Sequence, residues 1–231
     1  MLVPRRYTTN NSNGPNNPDV RGNPALQPEL AWGVDAGYER YFRTGAMASI
    51  SAYGRKIEQV TVQTLFREDG MWMSSPVNSG SASAWGIEFD IKTALGASFD
   101  LRANAARNWS RLDAIPGPDN RLTDQVAATV NVGFDYRHSP ALTMGMNFNQ
   151  QFGGTTRLAV DRLAYSGPER TLDAYALWKV DDTMQLRLSG TNLLAPDNVY
   201  RRTYRTGEAG TTRETVVQGR MRIKLVLEKK L

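Results

Sequence analysis

Cysteine is absent from the 231 residues, and histidine occurs once. Without a thiol there is no disulfide and no thiolate metal site, so an oxidising compartment is permitted but not required. The one histidine, His138, lies in the turn-like stretch Arg-His-Ser-Pro, where a structural turn residue is the plain reading. No Ser-His-Asp set and no metal-ligand spacing is visible, so the sequence calls for no catalytic residue, metal or cofactor. No run of eighteen apolar residues occurs either, which excludes a helical membrane span. The opening stretch, MLVPRRYTTNNSNGPNNP, has no apolar segment of the kind a secretory signal needs. An export signal, if the chain uses one, is therefore expected on sequence upstream of Met1. Charge of one sign is also scarce: 28 Lys and Arg against 23 Asp and Glu leave only +5. The basic residues are dispersed, form no helical stripe and accompany no nucleic-acid-binding motif, so nucleic acid is set aside as a partner.

What is present is a period of two. From Leu30, one face reads Leu30, Trp32, Val34, Ala36, Tyr38 against Ala31, Gly33, Asp35, Gly37, Glu39. Ile87, Phe89 and Ile91 oppose Glu88, Asp90 and Lys92, and Phe99, Leu101, Ala103 and Ala105 oppose Asp100, Arg102 and Asn104. Val126, Ala128, Val130, Val132, Phe134 and Tyr136 then alternate with Ala127, Thr129, Asn131, Gly133, Asp135 and Arg137. Three more such segments begin at Leu142, Met184 and Met221. This alternation gives each strand one apolar and one polar face. A mean hydropathy of -0.48 does not contradict membrane insertion, because alternating faces cancel in the average.

Soluble sandwiches alternate too, so length and connection pattern decide. Most segments run to roughly ten to fourteen residues, against about five or six for an ordinary strand. Twelve residues at ~3.3 Å, tilted by about 40–45°, rise about 28 Å, close to the hydrocarbon thickness of a bilayer. Short connections at Tyr41–Thr44, Leu95–Ser98, His138–Pro140 and Asp181–Thr183 alternate with long polar ones near 58–83, 112–123, 153–170 and 195–214. Short turns at one end and long loops at the other are the habit of outer-membrane barrels. The aromatics are expected to form two belts, with Tyr38, Phe99, Phe134, Tyr136 and Trp178 near the short turns. Trp32, Trp85, Trp109, Phe148 and Phe152 fall towards the long loops, with Arg107 beside Trp109 placed to snorkel towards headgroups. The fold class is therefore all-β, an antiparallel up-and-down transmembrane barrel of about nine strands. Barrels are normally even-stranded and an open edge in lipid is costly, so further strands are expected before residue 1.

Several segments carry a family resemblance. Asn23, Pro24, Leu26, Pro28 and Glu29, followed by Gly37, Tyr38 and Glu39, resemble the stretch that opens a late barrel strand in TonB-dependent receptors. SISAYGRKIEQVTVQ looks like that family's next strand, and NSGSASAWGIEFDI like a loop returning into the barrel. Asn192, Leu193 and Leu194 resemble the penultimate hairpin, and Gly219 and Arg220 the opening of the last strand. The resemblance implies the late strands of a 22-stranded barrel from the Gram-negative outer membrane, with residues 1–28 as an extracellular segment and 29–231 as barrel. It implies a receptor that takes up a ferric siderophore or similar scarce nutrient, is energised by TonB through an N-terminal plug, and is no enzyme. Outer-membrane lipid and lipopolysaccharide are the surroundings it implies. One departure is the ending LEKKL, where the family usually closes on an aromatic residue.

The candidate site lies in the long connections. Tyr200, Arg201, Arg202, Tyr204 and Arg205 interleave rings and cations, which suits an anionic, ring-bearing ligand. Arg67 and Trp72 sit in a second connection with an apolar tip, LFREDGMWM, which suits a ligand contact and a β-hairpin extension packed on its neighbour equally well. A charged surface facing lipopolysaccharide is the plainer use of the same residues. Carboxylates such as Asp90, Asp100 and Asp135 are expected to pair with Lys92, Arg102 and Arg137 inside the barrel, not to act as acid and base. A small porin or channel barrel is the rival architecture, and a membrane-bound barrel enzyme a third that lacks a visible nucleophile and base.

Overall fold

The computed structural model describes residues 6–7, 13–42 and 45–230. Arg43 and Thr44 of the first expected turn and Leu231 of the departing C-terminus lie outside them, as does much of the stretch before Asn13. Seventeen strands make up the described residues. They begin with β1 (Arg6–Tyr7), β2 (Asp19–Arg21), β3 (Leu30–Tyr41), β4 (Met47–Glu58), β5 (Thr61–Glu68) and β6 (Met71–Asn78). Next come β7 (Ser81–Leu95), β8 (Phe99–Leu112), β9 (Ala128–Arg137), β10 (Leu142–Phe152), β11 (Gly154–Ala159) and β12 (Arg162–Ser166). The chain ends with β13 (Glu169–Lys179), β14 (Met184–Thr191), β15 (Asn198–Thr206), β16 (Ala209–Val217) and β17 (Arg222–Lys229).

Nine of these form one meandering sheet in the order β3-β4-β7-β8-β9-β10-β13-β14-β17, each neighbour antiparallel. The count and the expected turns agree with the alternation in the sequence. Tyr41 pairs with Met47, Leu95 with Phe99 and Met47 with Lys92, so the short connections share one end of the sheet. The other end carries everything else. Three of the four long connections are not irregular; that between β8 and β9 carries no strand. The one from β4 to β7 is a hairpin, β5–β6, that joins β1 and β2 in a four-stranded sheet. Those from β10 to β13 and from β14 to β17 merge into a second sheet, β11-β12-β15-β16. Asp69 and Gly70 turn the β5–β6 hairpin with φ of 49° and 81°, the left-handed pair that a two-residue hairpin favours and that Asp-Gly supplies cheaply.

The register fixes which residues share a face. On one side Ile50, Phe89, Ala105 and Val130 lie in one cross-strand row, and Gly54, Trp85 and Trp109 in another. Phe99 stacks on Tyr136 at 4.5 Å between ring centres, close to the short turns. Phe148, by contrast, lies mid-strand opposite Val132, since paired rows shift in height from strand to strand in a tilted sheet. This apolar face is open: Ile87 is 48% exposed, Phe89 52% and Leu225 64%.

The opposite face is a hydrogen-bonded polar wall. Arg55 pairs with Asp35, Arg102 with Asp135 and Arg137 with Asp100, as the alternating charges foretold for the last two pairs. Two tyrosines bridge three strands each. The Tyr53 ring lies where a side chain on Gly86 would begin, and its hydroxyl donates to Asn108 at 2.9 Å. The Tyr175 ring likewise covers Gly145 and donates to Asp135 at 2.6 Å. An arginine stacks on each ring, Arg55 on Tyr53 and Arg187 on Tyr175. At the end with the long connections this face turns apolar. There Ile57, Ala82 and Leu112 form one row, and Val60, Ile115 and Leu122 fold over it as the small hydrophobic core of the described residues.

Candidate functional site

The residues singled out in the sequence lie in the two sheets beyond the long-connection end. Tyr200–Arg205 is the middle of β15, paired with β12 on one side and β16 on the other. A strand sends alternate side chains to opposite faces. The cluster that is continuous in sequence is therefore divided in space. Tyr200, Arg202 and Tyr204 share one face, while Arg201, Thr203 and Arg205 share the other.

On the second face Arg201 is already occupied. It forms an ion pair with Glu214, which holds its guanidinium above the ordinary arginine pKa, and it stacks on Tyr165. On the first face, Tyr200 donates to Glu169 at 2.6 Å, a bond that raises the phenol pKa. Tyr204 meets Trp72 of the other sheet edge-on, with 5.3 Å between ring centres. Arg67 stacks on Trp72 and donates to the Gly70 carbonyl. Arg67, Trp72 and Tyr204, well separated in sequence, are thus brought into one chain of contacts.

Three further arginines join this face without having been singled out. Arg162 stands opposite Tyr204, and Arg213 directly opposite Arg202. Arg162 is largely buried, with 13% of its side chain exposed, and donates through Nη2 to the Gln63 carbonyl at 2.6 Å. Burial first, and repulsion from Arg202 as well, lower its pKa, against an opposing pull from Asp161. Its Nε is buried with no hydrogen-bond partner, the nearest carboxylate oxygen being Asp161 Oδ1 at 3.7 Å. Arg121 reaches in from the connection between β8 and β9, donating to Thr156 Oγ1 at 3.0 Å. Strand alternation, applied to the long connections as well as to the long strands, would have separated Arg201 from Arg202. The pairing of Arg202 with Arg213 depends on hairpin register, which no local pattern displays. Among the described residues no cluster of His, Asp and Glu gathers that could hold a metal ion.

The comparisons with known proteins address the fold itself. The family model described as TonB dependent receptor-like, beta-barrel, matches residues 4–193. The chain belongs to the TonB-dependent receptor family. Proteins of this family are transporters of the Gram-negative outer membrane, not enzymes. Among solved structures, the copper transporter OprC aligns over 91% of this chain with a TM-score of 0.66 at 14% identity. The siderophore receptor PiuA from Acinetobacter baumannii aligns over 87% with a TM-score of 0.61 at 15% identity. The FrpB iron transporter from Neisseria meningitidis (F3-3 variant) aligns over 91% with a TM-score of 0.59 at 17% identity. At these identities the likeness is one of fold. This TonB-dependent receptor barrel chain spans 34%, 28% and 32% of those three proteins. No curated protein matches the sequence.

Proposed function

We propose that this chain supplies late barrel strands and outer sheets to an outer-membrane receptor that takes up a scarce nutrient, a ferric siderophore or a comparable metal complex, with energy from TonB. The observation that carries this reading is the family match across residues 4–193. The named cargoes of similar folds, copper, iron and siderophore, support a metal complex as the class. In this arrangement the apolar face turns to lipid, with lipopolysaccharide at its outer rim, and the polar wall lines the lumen. Residues 1–28 are extracellular: β2 runs parallel to β6 of the outer hairpin, which supports that side of the membrane. The outer sheets meet the ligand first, with Tyr200, Arg202, Tyr204, Trp72 and Arg67 on the receiving side. A TonB complex engages the plug of the full-length receptor.

The test is uptake by cells that carry the full-length receptor as their sole route for a labelled ferric siderophore or copper complex. Uptake is expected to stop when TonB is deleted. A rate that is unchanged without TonB would overturn the reading and favour a passive channel.

A further inference from the structure

Two recesses adjoin where the wall meets its short turns. The first is apolar: Leu142, Ala176, Trp178, Leu186 and Leu188 line it, with Ala141 at its border. Leu142, Trp178, Leu186 and Leu227 stand in one cross-strand row, and Met144, Ala176, Leu188 and Leu225 in the next. Ala176, with a larger neighbour on each side, is the gap in that second row. Ala174 keeps β13 low for one more step, roughly 6.6 Å. Opposite Ala174, Leu193 then fills the place of a side chain on Gly190. The second recess also borders Ala141, is polar, and holds Lys179, Lys229, Lys230, Asp181, Asp182 and Glu228. Its charges balance in number, so position decides. Alternation along β17 puts Lys229 on the side of Leu225 and Leu227, while Lys179, Gln185 and Glu228 form a row on the other. Glu228 accepts from Gln185 there, and Asp181 is bonded within its own turn. Among the described residues no ion pair or hydrogen bond engages the Lys229 ammonium or the Trp178 indole N–H.

We propose that this corner of the apolar face holds one glycerophospholipid, its phosphate at Lys229 and one acyl chain along Ala176 and Ala174. Inside a bilayer the hydrophobic effect does not favour one apolar patch over the next, so a retained lipid needs fit and charge. The gap at Ala176 supplies the fit. A chain lying in it is flanked by Met144 and Leu188 and gains dispersion contacts that a flat face withholds. Lys229 supplies the charge: it continues the apolar row one step beyond Leu227, and its flexible stem carries the ammonium towards the headgroup level. Trp178 stands near the same interface, where its indole N–H meets the ester carbonyls of a lipid. The inference rests on the reading above in taking the apolar face as the one that meets lipid.

The experiment uses the full-length receptor, purified in detergent, stripped of lipid and incubated with dioleoylphosphatidylglycerol or with dioleoylglycerol, which has the same chains and no phosphate. Retained lipid is counted by native mass spectrometry. Wild type is expected to retain the phospholipid at least fivefold more than dioleoylglycerol. K229Q should bring the two to one level, and A176L should lower both at least threefold. A103L makes the same enlargement on the same face, between Ile91 and Val132, and is expected to change retention less than twofold. Equal retention of the two lipids by wild type, or a loss in A103L matching that in A176L, would overturn the proposal. So would a receptor dimer that A176L dissolves, or retention of lipopolysaccharide in place of the phospholipid that K229Q abolishes. The facing of the wall is read separately, from the stability of Val130→Arg against Asn131→Arg in vesicles. If Val130→Arg is the milder of the two, the lipid-facing reading fails. If it is the costlier while K229Q and A176L retain phospholipid as wild type does, only the site fails.

Discussion

The nine-stranded wall and the outer sheets solve opposite problems with the same strand geometry. The wall keeps its apolar residues on an open face: every residue of β3 is exposed, Trp32 to 66% and Val34 to 68%. In water that surface would be an aggregation hazard; in a bilayer it is the solvated side. Its polar face is where the specific bonds are, Arg55 with Asp35 and Tyr175 with Asp135 among them. The two smaller sheets bury apolar side chains inwards instead. Met73 of β6 is 1% exposed, and where the wall meets the long connections Val60 and Ile115 cover Ala82 and Leu112 of β7 and β8 in a compact apolar cluster. Hydrophobicity marks the outside of one region and the inside of the other, so a single burial rule reads neither correctly.

The sharpest break of that comparison is to put a charge on each side of one strand. Val130→Arg places a cation on the apolar face and should cost ~2–4 kcal/mol near the bilayer midplane, whereas Asn131→Arg on the polar wall should be mild. Urea unfolding of the full-length receptor in lipid vesicles checks it, and equal midpoints for the two variants would reverse the facing.

Next in size is the wall's own packing. A β-carbon at Gly86 would sit 2.5 Å from the Tyr53 ring and 2.9 Å from the Arg107 carbonyl oxygen, a backbone atom that cannot swing away. Gly86→Val should destabilise by about 1–3 kcal/mol, the usual cost of overpacking, and Gly86→Ala by less. The same vesicle assay reads both, and a neutral Val variant would mean that Tyr53 does not lie over the strand.

Trp72→Ala should touch only the outer region. Losing its edge-on contact with Tyr204 removes about 0.5–1.5 kcal/mol beyond simple area. Hydrogen exchange should rise in β5, β6, β15 and β16, with β8–β10 unchanged. A uniform rise through the wall would mean that the two regions unfold as one.

The smallest effect belongs to the short turns. Asp181 accepts bonds from the Thr183 amide and hydroxyl and the Met184 amide, which hold its carboxyl below the usual range. A depressed folded-state pKa stabilises above the unfolded value, about 3.9, and that contribution is lost as pH falls through the folded one. Asp181→Asn should therefore lower stability slightly at pH 7 and lose its difference from wild type in strong acid. A difference that persists unchanged at low pH would assign the effect to turn geometry alone.

The wall was almost wholly legible, because period two over Leu30–Tyr41 or Phe99–Trp109 is set by each strand's two solvents and needs no knowledge of its neighbours. The outer region was not. Gly, Ser, Asn and Pro in residues 195–214 read as loop, although β15 and β16 alternate there as strands do, and in 58–83 the β5–β6 hairpin was only one of two equal readings. The grouping of Tyr200 with Arg205 followed adjacency in the chain, while the face that gathers Arg162, Arg202 and Arg213 is made by register across hairpins. Tyr53 over Gly86 escaped notice for the same reason: the glycine's purpose lies in the next strand.

That tyrosine arrangement bears on what the barrel can accommodate. A tyrosine standing straight out from a strand would project well clear of the polar face. Tyr53 and Tyr175 instead lie sideways over a neighbour's glycine, each reaching a polar partner two strands away. Two strand spacings come to roughly 9.5 Å, so the rings run along the wall for most of their length. The hydroxyl that would otherwise point away from the sheet is spent on the wall itself. The clearance over this face is thus a matter of glycine placement, set as much by where the side chains are missing as by where they stand.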